Sequence, residues 1–262
     1  MSDRADRTLE ALGLDRAPRE EPLLYPGAWP AESGLLVGDR LLPLDAHAAY
    51  EGRTPVLAIG SNACPAQLRH KMAEFAITSP VPMVKARVTG IGVGVSAHVS
   101  LVGYVSASPV HAPGAVRELF VTWFDERQLA VVDLSEKAYD RAWLPGSAVH
   151  VAPEAGPSLR GVYVYVNRNG VLRDGTGAPR RHPGERALLT ELLGGSAELR
   201  RLFGRTPEEF CARARADRSL CERGTRLFLE EGLVTVSGLE RFVRAQQTGS
   251  PGTGSSLSPP LR

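Results

Sequence analysis

Apolar and polar positions along the middle of the chain follow a pattern that predicts β-structure. Residues 56–59 form a short apolar run that stops at Gly60, which is typical of a buried strand. Over 84–100, β-branched residues are interspersed with glycines, so we expect strands that bend or bulge at positions 90, 92 and 94. Further strands are predicted in four later segments, 118–124, 141–144, 148–151 and 161–166. Curvature of this kind suits a small barrel that ends near Leu172.

Local signals also predict short helices and a hairpin within this region. Pro65 occupies a favourable first helical position and predicts a helix that continues to Met72. Asp125 and Gln128 have the spacing of a capping box, which predicts a helix running to about Leu134. Asn169-Gly170 is typical of a tight hairpin turn.

The two ends of the chain differ from this middle region. Residues 1–52 are poorly patterned and proline-rich, so we expect an extended N-terminal arm with a short helix around 8–12. Residues 182–247 have helical spacing, with capping-box patterns at 206–209 and 237–240, and a helix is also expected from about Leu220 to Glu231. The tail 248–262 is rich in Gly, Ser and Pro, which predicts disorder. We therefore divide the chain into an arm (1–52), a barrel (53–172), a helical extension (182–247) and a tail (248–262).

Composition excludes several classes of function. The formal net charge is +2 and both signs are interspersed, which argues against nucleic acid as a partner. No apolar run has the length of a membrane span, so we expect no membrane partner. The three cysteines have no CxxC pair, and the six histidines have no metal-ligand spacing, so we expect neither a metal nor another cofactor. Unpaired cysteines and the absence of a signal-peptide pattern predict a cytoplasmic protein.

The Gly60-Ser61-Asn62 segment between a strand and a helix is the first candidate site. Glycine allows a sharp turn and a close backbone approach, and exposed amides at a helix start favour negative charge. The alternative is an ordinary turn in which Ser61 or Asn62 caps the helix. Glu136, just past the predicted helix 128–134, is the second candidate, and its alternative is a solvated residue near a helix end.

The order of these features resembles the gamma-glutamylcyclotransferase-like family over residues 55–166. Members of that family have a strand-end Tyr-Gly-Ser-Asn motif and a later helix ending in Leu-Asp, followed by an essential Glu and a Tyr-x-Arg strand. The resemblance implies an α+β fold with a small mixed β-barrel and short helices. It also implies that Gly60, Ser61 and Asn62 bind substrate together with Ile59, and that Glu136 is the catalytic acid/base. This chain departs from the family pattern at Ile59, where the family has Tyr, at Lys137, where it commonly has Gly, and in its helical extension.

The function implied by this resemblance is cyclisation of a small-molecule γ-glutamyl substrate. The α-amine of the substrate attacks its own γ-carbonyl and releases 5-oxoproline, so no protein nucleophile and no cofactor is needed. A noncatalytic binding or interaction protein on the same scaffold is the alternative. A hydrolase with Cys64 as nucleophile and His70 or His98 as base is a further one. The sequence leaves the leaving amine and the oligomeric state open.

Overall fold

The computed structural model describes residues 6–44 and 50–247, so the tail 248–262 lies outside the described residues. The strands are β1 Gly34–Val37, β2 Arg40–Pro43, β3 Thr54–Ala58, β4 Val81–Val95, β5 Ala107–Phe124, β6 Tyr139–Pro145, β7 His150–Pro153, β8 Gly161–Asn167, β9 Val171–Leu172 and β10 Val234–Thr235. The helices are α1 Pro65–Glu74, α2 Glu126–Ser135, α3 Glu185–Gly195, α4 Ala197–Phe203, α5 Pro207–Ala216, α6 Arg218–Glu230 and α7 Glu240–Gln247. The α+β class is therefore confirmed.

Eight of these strands form one mixed sheet. Its order is β2-β1-β4-β5-β3-β8-β6, with β7 also paired to β4. Strand β3 runs parallel to β8, and the other pairs of this sheet are antiparallel. The register of β4 against β5 shifts between Thr89 and Gly90, so the bulge expected at Gly90 is confirmed. Within the described residues β2 and β6 are not paired with each other, and the predicted closed barrel is not confirmed.

The two faces of β3 belong to different hydrophobic cores. Leu57 and Ile59 pack in a core with residues of β4, β5, β6 and β8, whereas Val56 and Ala58 pack against α1 and α2 on the opposite face. This follows from the alternation of side chains along a strand. The Gly60 loop therefore leaves the sheet between these two layers.

The N-terminal arm contains structure that the sequence pattern did not predict. Strands β1 and β2 form a hairpin, and β1 extends the sheet by pairing with β4. Pro30 lies before this hairpin and Pro43 is its last residue, so neither interrupts the hydrogen bonds between β1 and β2. The helix predicted around 8–12 is wrong, because this segment forms turns in which Leu9 is buried and Thr8 makes an isolated bridge to Arg40.

The turn at Asn169-Gly170 is present, but the predicted hairpin is wrong. Strand β9 pairs with β10 from the C-terminal region rather than with β8. The helical extension that follows β9 packs around its own core, which contains Leu188, Phe203, Phe210 and Phe228 together with Val99 of the β4–β5 connection. Among the described residues, none of the helices is long and apolar enough to cross a membrane.

Candidate functional site

The Gly60-Ser61-Asn62 segment forms a tight turn at the C-terminal end of β3. Ser61–Ala63 form a single 3₁₀ turn, which Cys64 connects to Pro65, the first residue of α1. The first N–H groups of such a turn have no acceptor within it, so they are available to another group. Asn62 itself is buried, and its side chain points away from bulk water towards Glu136.

Gly60 marks a close contact between this loop and the N-terminal arm. A Cβ atom added at Gly60 would lie 2.1 Å from the phenol oxygen of Tyr25. The Tyr25 oxygen accepts a hydrogen bond of 2.8 Å from the backbone N–H of Ala107, and its ring lies 4.4 Å from that of Tyr104. The arm thus places an aromatic hydroxyl beside the loop, next to Ile59, whose own side chain carries none.

Glu136 is held at the junction between α2 and β6. Its backbone N–H donates to the carbonyls of Val132 and Asp133 at the end of the helix, and its carbonyl accepts from Tyr139 at the start of β6. The other end of α2 is anchored by the predicted capping box, in which Asp125 and Gln128 bond each other's backbone N–H. Both ends of the helix are therefore fixed, and the position of the carboxylate with them.

The structure brings Glu136 to the loop through a buried cation. The amide Nδ2 of Asn62 donates to Glu136 Oε1 at 3.1 Å, and Lys71 Nζ on α1 donates to the same oxygen at 3.1 Å. Lys71 Nζ also donates to Asn62 Oδ1 at 2.8 Å, which sets the orientation of the Asn62 amide. The side chains of Lys71 and Glu136 are 6% and 16% exposed, so this is a buried ion pair rather than a surface one.

The two carboxylate oxygens of Glu136 are not equivalent. Asn62 and Lys71 both bond Oε1, and no partner for Oε2 occurs in the described part of the chain. Glu136 also lines the cleft described below. Its Oε2 is therefore the atom that can exchange a proton with a ligand, while Oε1 holds the side chain in place.

Buried phenols surround the carboxylate. Burial, followed by the negative charge of Glu136, raises the pKa of Tyr139 to about 12 and that of Tyr104 further. Burial first, and then the neighbouring Tyr139, raises the pKa of Tyr25 well above its usual value. All three phenols are protonated at neutral pH and can donate hydrogen bonds.

These groups line a cleft of about 1240 Å³. All five residues expected at the site, Ile59, Gly60, Ser61, Asn62 and Glu136, contribute to its wall. Apolar side chains from three places, Phe75 and Ile77 after α1, Leu134 on α2 and Leu101 before β5, also line the cleft. Leu101 and Leu134 are each 48% exposed, so part of this apolar surface is open to a ligand.

The helical extension holds one wall of the cleft. Glu185 at the start of α3 accepts the backbone N–H of Val105 at 2.8 Å, and Thr225 on α6 accepts that of Val99 at 2.9 Å. These bonds secure the connection 96–106, which carries His98 and Tyr104 into the cleft. The extension therefore shapes the site.

The geometry does not support the Cys64 alternative. Cys64 is fully buried, and burial raises the pKa of its thiol, which opposes thiolate formation. Its Sγ lies 3.7 Å from the carbonyl of Arg16, and in the described residues it has no hydrogen bond to a histidine. His70 faces Glu20 at 3.9 Å instead. Residues 6–44 and 50–247 also contain no cluster of His, Cys, Asp and Glu able to hold a metal ion.

Sequence reasoning missed Lys71, Tyr25 and Tyr104. The only sequence signal for Lys71 is weak, because it is one of three lysines among the 31 basic residues and the others, Lys85 and Lys137, share it. Tyr25 and Tyr104 lie in segments without regular pattern, and no local signal marks either of them.

No protein-family model matches this chain, and no curated protein matches it significantly. The family resemblance therefore rests on the sequence motifs.

Proposed function

We propose that this protein is a gamma-glutamylcyclotransferase-like enzyme that cleaves a γ-glutamyl amide or amine and releases 5-oxoproline. The observation that carries the proposal is the hydrogen bond between Asn62 and Glu136, which are 74 positions apart in sequence. It joins the two motifs on which the resemblance depends at the wall of one cleft. Under this proposal the open mixed sheet corresponds to the small barrel of the family.

The arrangement suits an intramolecular reaction. A γ-glutamyl group has a flexible chain, and holding its α-amine against its own γ-carbonyl can supply several orders of magnitude in rate. Glu136 Oε2 accepts a proton from the α-ammonium group, and the free amine then attacks the γ-carbonyl carbon to close a five-membered ring. Collapse of the tetrahedral intermediate expels the leaving amine, which takes this first proton from Glu136. Glu136 then passes the second proton of the ring nitrogen to the released amine, so 5-oxoproline keeps one N–H and the amine leaves as an ammonium ion. No protein nucleophile or cofactor takes part in these steps.

The cleft also suggests the type of leaving amine. Polar groups cluster around Glu136, whereas Phe75, Ile77, Leu101 and Leu134 provide an apolar surface in the same cleft. An amine with an apolar or aromatic group would bury this surface, so we expect such conjugates to be better substrates than γ-glutamylglycine. The free thiols suit a reducing compartment, and we propose a cytoplasmic location.

The test is detection of 5-oxoproline by mass spectrometry after incubation with a panel of γ-glutamyl amino acids, aromatic amines and glutathione. Glu136→Gln removes the proton acceptor and should lower kcat by about 10² to 10⁴. Glu74→Gln is the matched control, because Glu74 lines the same cleft but pairs with Arg19 at the surface, and it should retain nearly the full rate. An active parent protein whose rate survives Glu136→Gln would contradict the assignment.

A noncatalytic binding protein is the second candidate. The observation that favours it is the pairing of Glu136 with Lys71, which a purely structural buried ion pair would also show. In that case no substrate in the panel gives 5-oxoproline, while γ-glutamyl compounds still raise the melting temperature of the protein.

A further inference from the structure

His98 lies in the same cleft as Glu136 and is not used in the mechanism above. It follows β4 in the connection 96–106, which Glu185 and Thr225 of the helical extension hold in place. Its ring packs edge-on against Tyr139, with 5.6 Å between the ring centroids, and it lines the cleft. The negative charge of Glu136 reaches it, since that charge acts to raise the pKa of His98.

The hydrogen bonds around His98 determine which ring nitrogen carries the proton. Asn167 Oδ1 accepts the backbone N–H of Asn169 at 2.9 Å, and this bond sets the orientation of the Asn167 amide. The amide Nδ2 of Asn167 therefore faces His98 Nδ1, at 3.0 Å, as a donor. Nδ1 must accept this bond, because a protonated Nδ1 would place two N–H groups against each other. The hydroxyl of Ser96 lies 3.2 Å from the same nitrogen and can donate to it as well.

The proton of the neutral ring is therefore on Nε2. Among residues 6–44 and 50–247, no group accepts a hydrogen bond from Nε2. Some polar atoms there are both buried and unpaired, and Nε2 is not one of them. Because the Nδ1 edge of the ring is tied to Ser96 and Asn167, the Nε2 edge is the one open to the cleft.

We propose that His98 is a neutral hydrogen-bond donor whose Nε2–H binds the γ-carbonyl oxygen of the γ-glutamyl group. This proposal rests on the proposed function and adds a substrate contact to it. As the α-amine attacks the carbonyl carbon, the π electron pair moves to the oxygen, and the Nε2–H stabilises the developing negative charge without transferring its proton. The pair returns when the carbonyl re-forms and the leaving amine departs with the proton from Glu136. His98 therefore ends each cycle unchanged.

The environment of His98 keeps it neutral for this role. Burial lowers the pKa of its imidazole to about 4, and the opposing effect of Glu136 is the smaller of the two. At neutral pH the ring is therefore an uncharged donor. It does not compete with Lys71 for the carboxylate of Glu136, as a protonated imidazole would.

Two near-isosteric substitutions separate this role from a structural one. His98→Asn keeps a group near the Nδ1 position that can accept from Asn167, but it loses the donor in the cleft. His98→Gln extends an amide N–H to about the position of Nε2. We expect His98→Asn to lower kcat by about 10² to 10³ with little change in KM, and His98→Gln to retain most of the rate. Wild-type kcat in His98→Asn, or equal losses in the two variants, would overturn the proposal.

Imidazole ¹⁵N resonances provide a readout that does not depend on turnover. In the full-length wild-type protein we expect a protonated Nε2 and an unprotonated Nδ1, and the Nε2 resonance should shift on titration with 5-oxoproline, which retains the carbonyl. A protonated Nδ1, or an Nε2 resonance that does not move in 5-oxoproline, would overturn the role of His98. If Nε2 shifts but no substrate is turned over, the proposed reaction fails while the donor assignment stands.

Discussion

The ion pair between Lys71 and Glu136 should show a larger coupling energy than an ion pair at the surface. Lys71→Met removes the cation and leaves the Glu136 carboxylate, 16% exposed, with Asn62 as its one remaining donor in the described structure. It also removes the donor to Asn62 Oδ1. Both partners of the buried lysine are therefore affected by a single substitution.

The geometry allows the size of this effect to be worked out. At the N–O distance of 3.1 Å and an effective dielectric constant of about 20, the attraction between the two charges is about 5 kcal/mol. Partial exposure of Glu136 and relaxation around the pair weaken this attraction, so we expect a coupling of about 2 kcal/mol. Lys71→Met alone should lower the free energy of unfolding by about 3 kcal/mol, because it leaves a largely buried carboxylate without its cation.

A double-mutant cycle with Lys71→Met and Glu136→Gln measures this coupling by urea denaturation. The control cycle uses Arg186→Met and Glu208→Gln, whose N–O distance is shorter at 2.6 Å but whose side chains are 60% and 58% exposed. Because exposed pairs are screened by water, the control coupling should be much smaller than that of Lys71 and Glu136. If the Lys71–Glu136 coupling is no larger than that of the control, burial does not strengthen this pair and the reasoning is refuted.

Two other predictions concern His98 and Gly60. His98 binds a proton near pH 6.5 in the unfolded chain and near pH 4 in the folded protein. Between these two values the unfolded state therefore binds more protons than the folded state. The free energy of unfolding should fall as the pH is lowered from 6.5 to 4. The difference in unfolding free energy between wild type and His98→Gln should change by about 3 kcal/mol over that range, and a flat difference would contradict the neutral, desolvated ring. Gly60→Ala should destabilise the protein, because its Cβ would meet the Tyr25 oxygen at 2.1 Å. Tyr25→Phe removes that oxygen and should partly restore the melting temperature of Gly60→Ala, whereas additive losses would contradict the contact.

Much of the local structure could be predicted from the sequence. The capping boxes at Asp125 and Thr206 are both present, and the bulge at Gly90 lies where the glycine pattern placed it. Each capping box depends on residues three positions apart, and the bulge occurs at a glycine that can adopt a positive φ, so local sequence signals mark all three. The hairpin predicted at Asn169-Gly170 shows the limit of such signals. The turn is present, but β9 pairs with β10, which lies much later in the sequence.

Part of the candidate site could likewise be predicted from the sequence, and part could not. Its loop and its carboxylate could be named from sequence, because a strand-end Gly-Ser-Asn and a Glu after a capped helix are local patterns. Their association could not be derived, since it depends on how α1, α2 and the sheet pack together. Lys71, 65 positions from Glu136, illustrates this, because nothing near it in sequence indicates that it reaches the carboxylate.

The sequence by itself indicated where most of the helices and several strands of the sheet lie, and which residues had the chemistry for a site. Only the tertiary structure decided that Tyr25 from the arm meets Gly60, that the helical extension holds the connection carrying His98, and which nitrogen of His98 is protonated. Local patterns specify backbone conformation through short-range hydrogen bonds and side-chain periodicity. Contacts between residues far apart in sequence depend on how the elements pack and on the need of buried polar groups for hydrogen-bond partners. Both exist only once the chain has folded.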